Sequence, residues 1–100
     1  MSVIKVAVSG AKGKMGREVV KMVLADPELE LVAAIDVSTH GTDIGQTIGI
    51  GGCGVIAEKD LELALVESKA DVLVDFTTPQ LAAAHTRLAI KHKVRPVVGT

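Results

Sequence analysis

Hydrophobic positions fall along this chain in short dense runs that alternate with stretches of helical spacing. Residues 3–8 are apolar apart from Lys5, which predicts a strand buried on both faces. After a glycine-rich turn, Met15, Val19, Met22 and Val23 recur at spacings of four, three and one. That spacing predicts one helix face, with Arg17, Glu18 and Lys21 toward solvent. Asp26-Pro27 should end this helix, because the residue before proline is biased away from helical geometry. A second apolar run, 31–35, closes on Asp36.

Residues 38–54 break the pattern with six glycines, at 41, 45, 49, 51, 52 and 54. They predict a long mobile loop with a helical turn near 44–48. Beyond it, 55–56 predicts a short strand, Leu61, Ala64 and Leu65 a short helix, and 72–74 a buried strand ending at Asp75-Phe76. Thr78-Pro79 is a helix start, threonine as N-cap and proline in the first turn, with Leu81, Ala84 and Leu88 on its apolar face. Residues 96–98 make the last strand. Strands alternating with helices predict an α/β fold, a Rossmann-like doubly wound parallel sheet in a single domain, 1–100. The expected strand order is 3-2-1-4-5, with ligands at the carboxyl ends of strands 1 and 4.

Composition narrows the chemistry. The chain has 100 residues, 48% of them hydrophobic, yet Phe76 is the only aromatic, so Val, Ile, Leu and Ala must build the core. A net charge of −1 gives no electrostatic footprint for nucleic acid or membrane. The one cysteine, Cys53, excludes an internal disulfide, and no apolar run approaches the ~20 residues of a membrane span. A cytoplasmic protein is expected.

The turn reads Gly10-x-x-Gly13-x-x-Gly16, with Lys12 where the common dinucleotide fingerprint has its middle glycine. Glycines at a strand-to-helix turn let a pyrophosphate approach the backbone at a helix N-terminus. A ligand-free turn would show similar glycines, so the pattern alone leaves the two readings nearly balanced. Asp36 tips the balance, because it ends the second strand 20 residues after Gly16, where an acid can accept from a ribose hydroxyl.

The segments "VAVSGAKGKMGREV", "VDFTTP" at 74–79 and "VVGT" at 97–100 resemble the amino-terminal half of the 4-hydroxy-tetrahydrodipicolinate reductases, also called dihydrodipicolinate reductases. The resemblance covers essentially the whole chain. It implies a domain for NADH or NADPH joined to a carboxyl-terminal substrate and tetramerisation domain, in a homotetrameric enzyme of lysine (diaminopimelate) biosynthesis. By resemblance Gly10, Ala11, Lys12, Gly13, Lys14 and Met15 contact the phosphates, with Gly16 completing the turn. Asp36 takes the ribose position, Phe76 and Thr77 lie by the nicotinamide, and Gly99 and Thr100 begin a Gly-Thr-Thr segment. Val37 departs from members that carry arginine there for a 2′-phosphate; Lys12 and Lys14 are expected to compensate as point charges. The family's histidine-rich segment, its lysine acid and its ligands for the dicarboxylate substrate are not among these residues, so no catalytic group is expected here. A non-catalytic dinucleotide sensor, or the nucleotide domain of another amino-acid dehydrogenase, stays open as a rival.

His40, His85 and His92 are too scattered for a metal site, and His85 and His92, seven apart, are expected on one wet helix face. Cys53 reads as a small loop side chain. Asp75 is expected to orient the turn before Thr77.

Overall fold

The computed structural model describes residues 3–38 and 41–99, so Thr100 and His40 lie outside the described residues. In chain order the elements are β1 (Ile4–Ser9), α1 (Lys14–Ala25), β2 (Leu29–Ile35), α2 (Ile44–Thr47), β3 (Ala57–Glu58), α3 (Leu61–Ser68), β4 (Val72–Asp75), α4 (Pro79–Lys91) and β5 (Arg95–Val98). Every strand pair is parallel and the order is β3-β2-β1-β4-β5, as the alternation predicted.

Side chains of the central strands alternate between two layers. Val6 and Val8 join Val20, Val23 and Ile44 on one face, while Ala7 joins Leu61, Leu65, Leu73 and Ala89 on the other. In β2 the alternation is interrupted. Val6 pairs with Leu31 but Ala7 pairs with Ala33, which leaves Val32 as an extra residue. This bulge lets Leu31 and Ala34, three apart, share one face. Burying each Leu or Val of these layers contributes about 1.5–3 kcal/mol before entropy is counted.

The helix starts and stops follow local chemistry. Thr78 caps α4 by accepting from the Leu81 N–H, Pro79 stands in its first turn, and Asp26 closes α1. The faces depart from the expected ones. The inner positions of α1 are Gly16, Val20 and Val23, while Met15 and Met22 are 57% and 60% exposed. Helix α1 sits so near the preceding turn that glycine, not methionine, fits its inner face at that level. In α4 the inner residues are Ala82 and Ala89, and Leu81 is exposed. Alanines bring that helix close to the sheet and carry His85 inward between them.

Two more expectations change. The third strand is Ala57–Glu58 rather than 55–56; Ile56 instead makes an antiparallel bridge to Asp43. The loop expected to be mobile is, over its described residues from 41 on, knit around one carboxylate. Asp43 caps α2 through the Gly45 and Gln46 N–H groups, and also accepts from those of Cys53 and Gly54.

Candidate functional site

The carboxyl ends of β1, β2 and β4 converge at the point where strand order reverses, the place where open α/β sheets bind ligands. Gly10 leaves β1 with φ +77°, and a Cβ there would stand 2.9 Å from the Phe76 carbonyl oxygen. Both constraints demand glycine. The Gly10 and Ala11 N–H groups donate to the Ile35 carbonyl, at 2.8 and 3.2 Å, tying the turn to β2. A Cβ on Gly16 would collide with the Gly10 carbonyl, so this glycine sets the distance between α1 and the turn.

Gly13 differs from both. Its φ of −67° is open to any residue, it is exposed, and a Cβ would meet only the Gly10 carbonyl oxygen, at 3.2 Å. That contact is tight but far milder than the clash at Gly16, so the fold asks less of glycine here. Gly13 is the N-cap of α1 yet offers no side-chain cap, and no acidic residue stands in the first turn. Helix-start N–H groups carry about half a positive charge between them and here lack a side-chain partner. The amides of Gly10, Ala11, Lys12 and Gly13 already have acceptors within the chain, so it is the uncapped start of α1 beside exposed Gly13 that suits an anion.

Asp36 closes the site from β2. One oxygen accepts from the Lys12 N–H at 2.9 Å, and the other from the Ser38 N–H and hydroxyl at 3.0 and 2.7 Å. Partial burial pushes the carboxyl up. The hydrogen bonds from Ser38 and from Lys12, with the Lys12 charge, outweigh that, so Asp36 lies below the ordinary aspartate range and is ionised. Arg17 grips the same turn from the helix side, donating to the Lys12 carbonyl at 2.9 Å. Asp36 thus orients the turn and keeps an ionised carboxylate beside it.

On the far side, Asp75 is buried and acts as an acceptor three times. It takes the Thr77 N–H at 2.9 Å, the Thr77 hydroxyl at 2.6 Å, and Nδ1 of His85 at 2.9 Å. The Thr77 bonds are the expected turn-orienting role. The Phe76 ring lies against Gly99, where a Cβ would strike it, and the Gly99 N–H donates to the Asp75 carbonyl at 2.9 Å.

A cleft of about 80 Å³ runs between the two sides, lined by Ser9, Gly10, Asp36, Thr77, Leu81 and His85, with Ile35, Val37 and Lys59 completing it. Among the expected site residues, Gly10, Asp36 and Thr77 line this cleft. Lys12, Gly13, Lys14 and Met15 stand exposed beside it, and Ala11 and Gly16 lie buried under the turn. Phe76 and Gly99 adjoin it. A larger hollow of about 600 Å³ opens at the opposite, amino-terminal ends of β1, β4 and β5; there Asp71 is engaged by the Lys5 N–H. It lies away from the switch point.

Sequence reasoning missed Ser9, Lys59 and His85. The expected wet face for the histidines is wrong: the His85 side chain is 14% exposed, and His92 Nε2 lies 2.7 Å from Glu62. The available signal was the helix start at Thr78, because a residue seven beyond the N-cap returns to the face of the cap.

Among the described residues no helix is long and apolar enough to cross a membrane. Residues 4–100 match the family described as "Dihydrodipicolinate reductase, N-terminus". The 4-hydroxy-tetrahydrodipicolinate reductase of Syntrophomonas wolfei is 45% identical over 96 residues, 96% of this chain and 36% of that protein. A dipicolinate-bound dihydrodipicolinate reductase from Paenisporosarcina sp. TG-14 superposes with a TM-score of 0.81 at 37% identity, over 98% of this chain and 37% of that one. An amine dehydrogenase from Mycobacterium smegmatis gives a TM-score of 0.83 at 28% identity, over 97% of this chain and 30% of that one. The chain therefore spans little more than a third of the length of the curated relatives it matches. With nearly all of its residues inside that match and the Gly10–Asp36 site built as described, the chain belongs to the dihydrodipicolinate reductase family, as its amino-terminal domain.

Proposed function

We propose that these residues bind NADH or NADPH for a 4-hydroxy-tetrahydrodipicolinate reductase. The observation that carries the reading is the uncapped start of α1 behind Gly13, with an ionised Asp36 at the end of β2 beside it, on one side of the switch point. The pyrophosphate rests on the backbone of residues 10–15, where the helix N–H groups and bare Gly13 leave room for it. Asp36 accepts from the adenosine ribose, in exchange for the Ser38 hydroxyl. Phe76, Thr77 and Gly99 flank the nicotinamide half, and Thr100 follows them in sequence. When bound, the reduced nicotinamide supplies a hydride; this chain's residues hold and orient it.

Asp36 disfavours a 2′-phosphate, while exposed Lys12 and Lys14 soften the repulsion, so both cofactors are used with a modest preference for NADH. The substrate is the cyclic dicarboxylate made by dihydrodipicolinate synthase in lysine biosynthesis. Its binding groups, its proton donor and the tetramer contacts are assigned to the part of the relatives that this chain does not match. Calorimetry on Gly13→Val tests the site. NADH binding should weaken at least about tenfold, while the melting temperature falls less than for Gly16→Ala, because Gly13 has ordinary backbone angles and only one tight contact for a Cβ. Unchanged NADH affinity would place the site elsewhere.

A further inference from the structure

Beneath the cleft lies a polar cluster that the turn and Asp36 do not explain. Ser9 and Asp75 are register partners on adjacent parallel strands, so their side chains leave the same sheet face. Both are 1% exposed, and His85 of α4 covers them. The Ser9 hydroxyl has no hydrogen-bond partner among the described residues, uncommon for a buried polar atom.

The hydrogen bonds point to one tautomer of the histidine ring. The two Thr77 donors reach one Asp75 oxygen, and Nδ1 of His85 stands 2.9 Å from the other. We take Nδ1 of His85 as the donor of that bond, since carboxylate oxygens are acceptors. In the neutral ring Nε2 is then an acceptor. Nε2 has no partner among the described residues, and His85 lines the cleft. A buried carboxylate thus fixes both the tautomer and the orientation of an imidazole at the mouth of the site.

We propose that His85 is a cofactor-binding residue whose Nε2 accepts a hydrogen bond from a ribose hydroxyl on the nicotinamide side of the dinucleotide. Doubly wound sheets divide the dinucleotide between two halves, one nucleotide to each. Asp36 follows β2 in one half, whereas His85 follows β4 in the other, so the hydroxyl belongs to the nicotinamide ribose. Ser9 and Thr77, against the same Asp75, make the floor beneath it. The inference rests on the cofactor reading above, and the experiment separates the two.

The test uses NADH, reduced nicotinamide mononucleotide and ADP as probes, read by calorimetry and by NADH emission. The absence of Trp and Tyr leaves that emission free of a competing protein signal. His85→Asn keeps a donor for Asp75 but removes the acceptor; His85→Gln puts an oxygen near the Nε2 position and gives up the Asp75 bond. His85→Asn should weaken NADH and the mononucleotide by about three- to tenfold, the size of one neutral hydrogen bond, and leave ADP unchanged. His85→Gln should weaken them less. The Nε2 resonance of the parent chain should also move on adding NADH and stay in place with ADP. NADH binding unaltered by His85→Asn, equal losses for NADH and ADP, or a still Nε2 resonance would overturn the proposal while the cofactor reading stands. If His85→Gln falls below His85→Asn, the histidine only ties α4 to β4, and the proposal fails. A parent chain that binds no NADH would overturn both.

Discussion

Two glycine-rich segments lie in this chain, the 10–16 turn and the 41–54 loop, and their glycines do different work. In the turn, Gly10 and Gly16 are required because backbone meets backbone. In the loop, Gly41, Gly49, Gly51 and Gly54 have positive φ and nothing near the place of a Cβ, so conformation alone asks for glycine at those four, while Gly45, whose Cβ would strike the Gly51 carbonyl, is packed like the turn. The amides differ as well. Asp43 occupies those of Gly45, Cys53 and Gly54 with its own carboxylate. The start of α1 has no side chain doing this. Within the turn Asp36 holds only the Lys12 N–H, so what sets the two segments apart is the uncapped start of α1, not their glycine content.

The sharpest way to break this contrast is to add one methyl group to each segment. Gly16→Ala drives a Cβ into the Gly10 carbonyl, a backbone atom that cannot step aside. We expect a loss of about 3 kcal/mol or more in urea unfolding. Gly51→Ala meets only the cost of φ +85°, about 1 kcal/mol. Equal losses would mean that packing does not distinguish the two segments.

Removing the acid that faces the turn has the next effect. Asp36→Ala deletes a charged acceptor worth ~1.5–3 kcal/mol, so NADH should bind ten- to a hundredfold more weakly by calorimetry. NADPH should lose less, because its 2′-phosphate no longer meets the carboxylate. Part of the loss is common to both, since Asp36 also holds the Lys12 N–H. Identical losses would leave Asp36 with the turn-holding role only.

The smallest effect sharpens the loop side. The Cys53 N–H bond, followed by that of Gly54, holds the Asp43 carboxyl down at about 2, against an ordinary 3.8. A depressed carboxyl stabilises the folded loop at pH above the ordinary value, and that support drains away as pH falls toward 2. The Cys53 and Gly54 amide resonances should titrate together with a midpoint near 2. Adding NADH should not shift that midpoint, because these amides already have their acceptor.

Much of the site was legible from local signals. Gly10, Gly13, Gly16 and Asp36 stand out by spacing, and the structure brings the turn and the acid within one hydrogen bond of each other. Asp75 turning the chain at Thr77 is also local, two residues apart. The apolar faces of α1 and α4 were not legible, because periodicity marks which residues share a face but not how near the neighbouring layer lies. Close approach favoured Gly16, Ala82 and Ala89 over larger side chains.

By itself the sequence determined the alternation of strands and helices, the strand order, and the position of a glycine turn opposite an acid. These follow from periodicity, from proline and glycine, and from the handedness of crossovers, all of which act over a few residues or through the chain's connectivity. Only the tertiary structure decided what His85, Ser9 and Asp43 do. Each owes its role to a partner outside its own element: Asp75 on β4 for His85, that same carboxylate beside Ser9 across two strands, and the Cys53 and Gly54 amides ten and eleven residues beyond Asp43. A hydrogen bond forms over about 3 Å, and which groups come within that distance is set by the packing of whole layers.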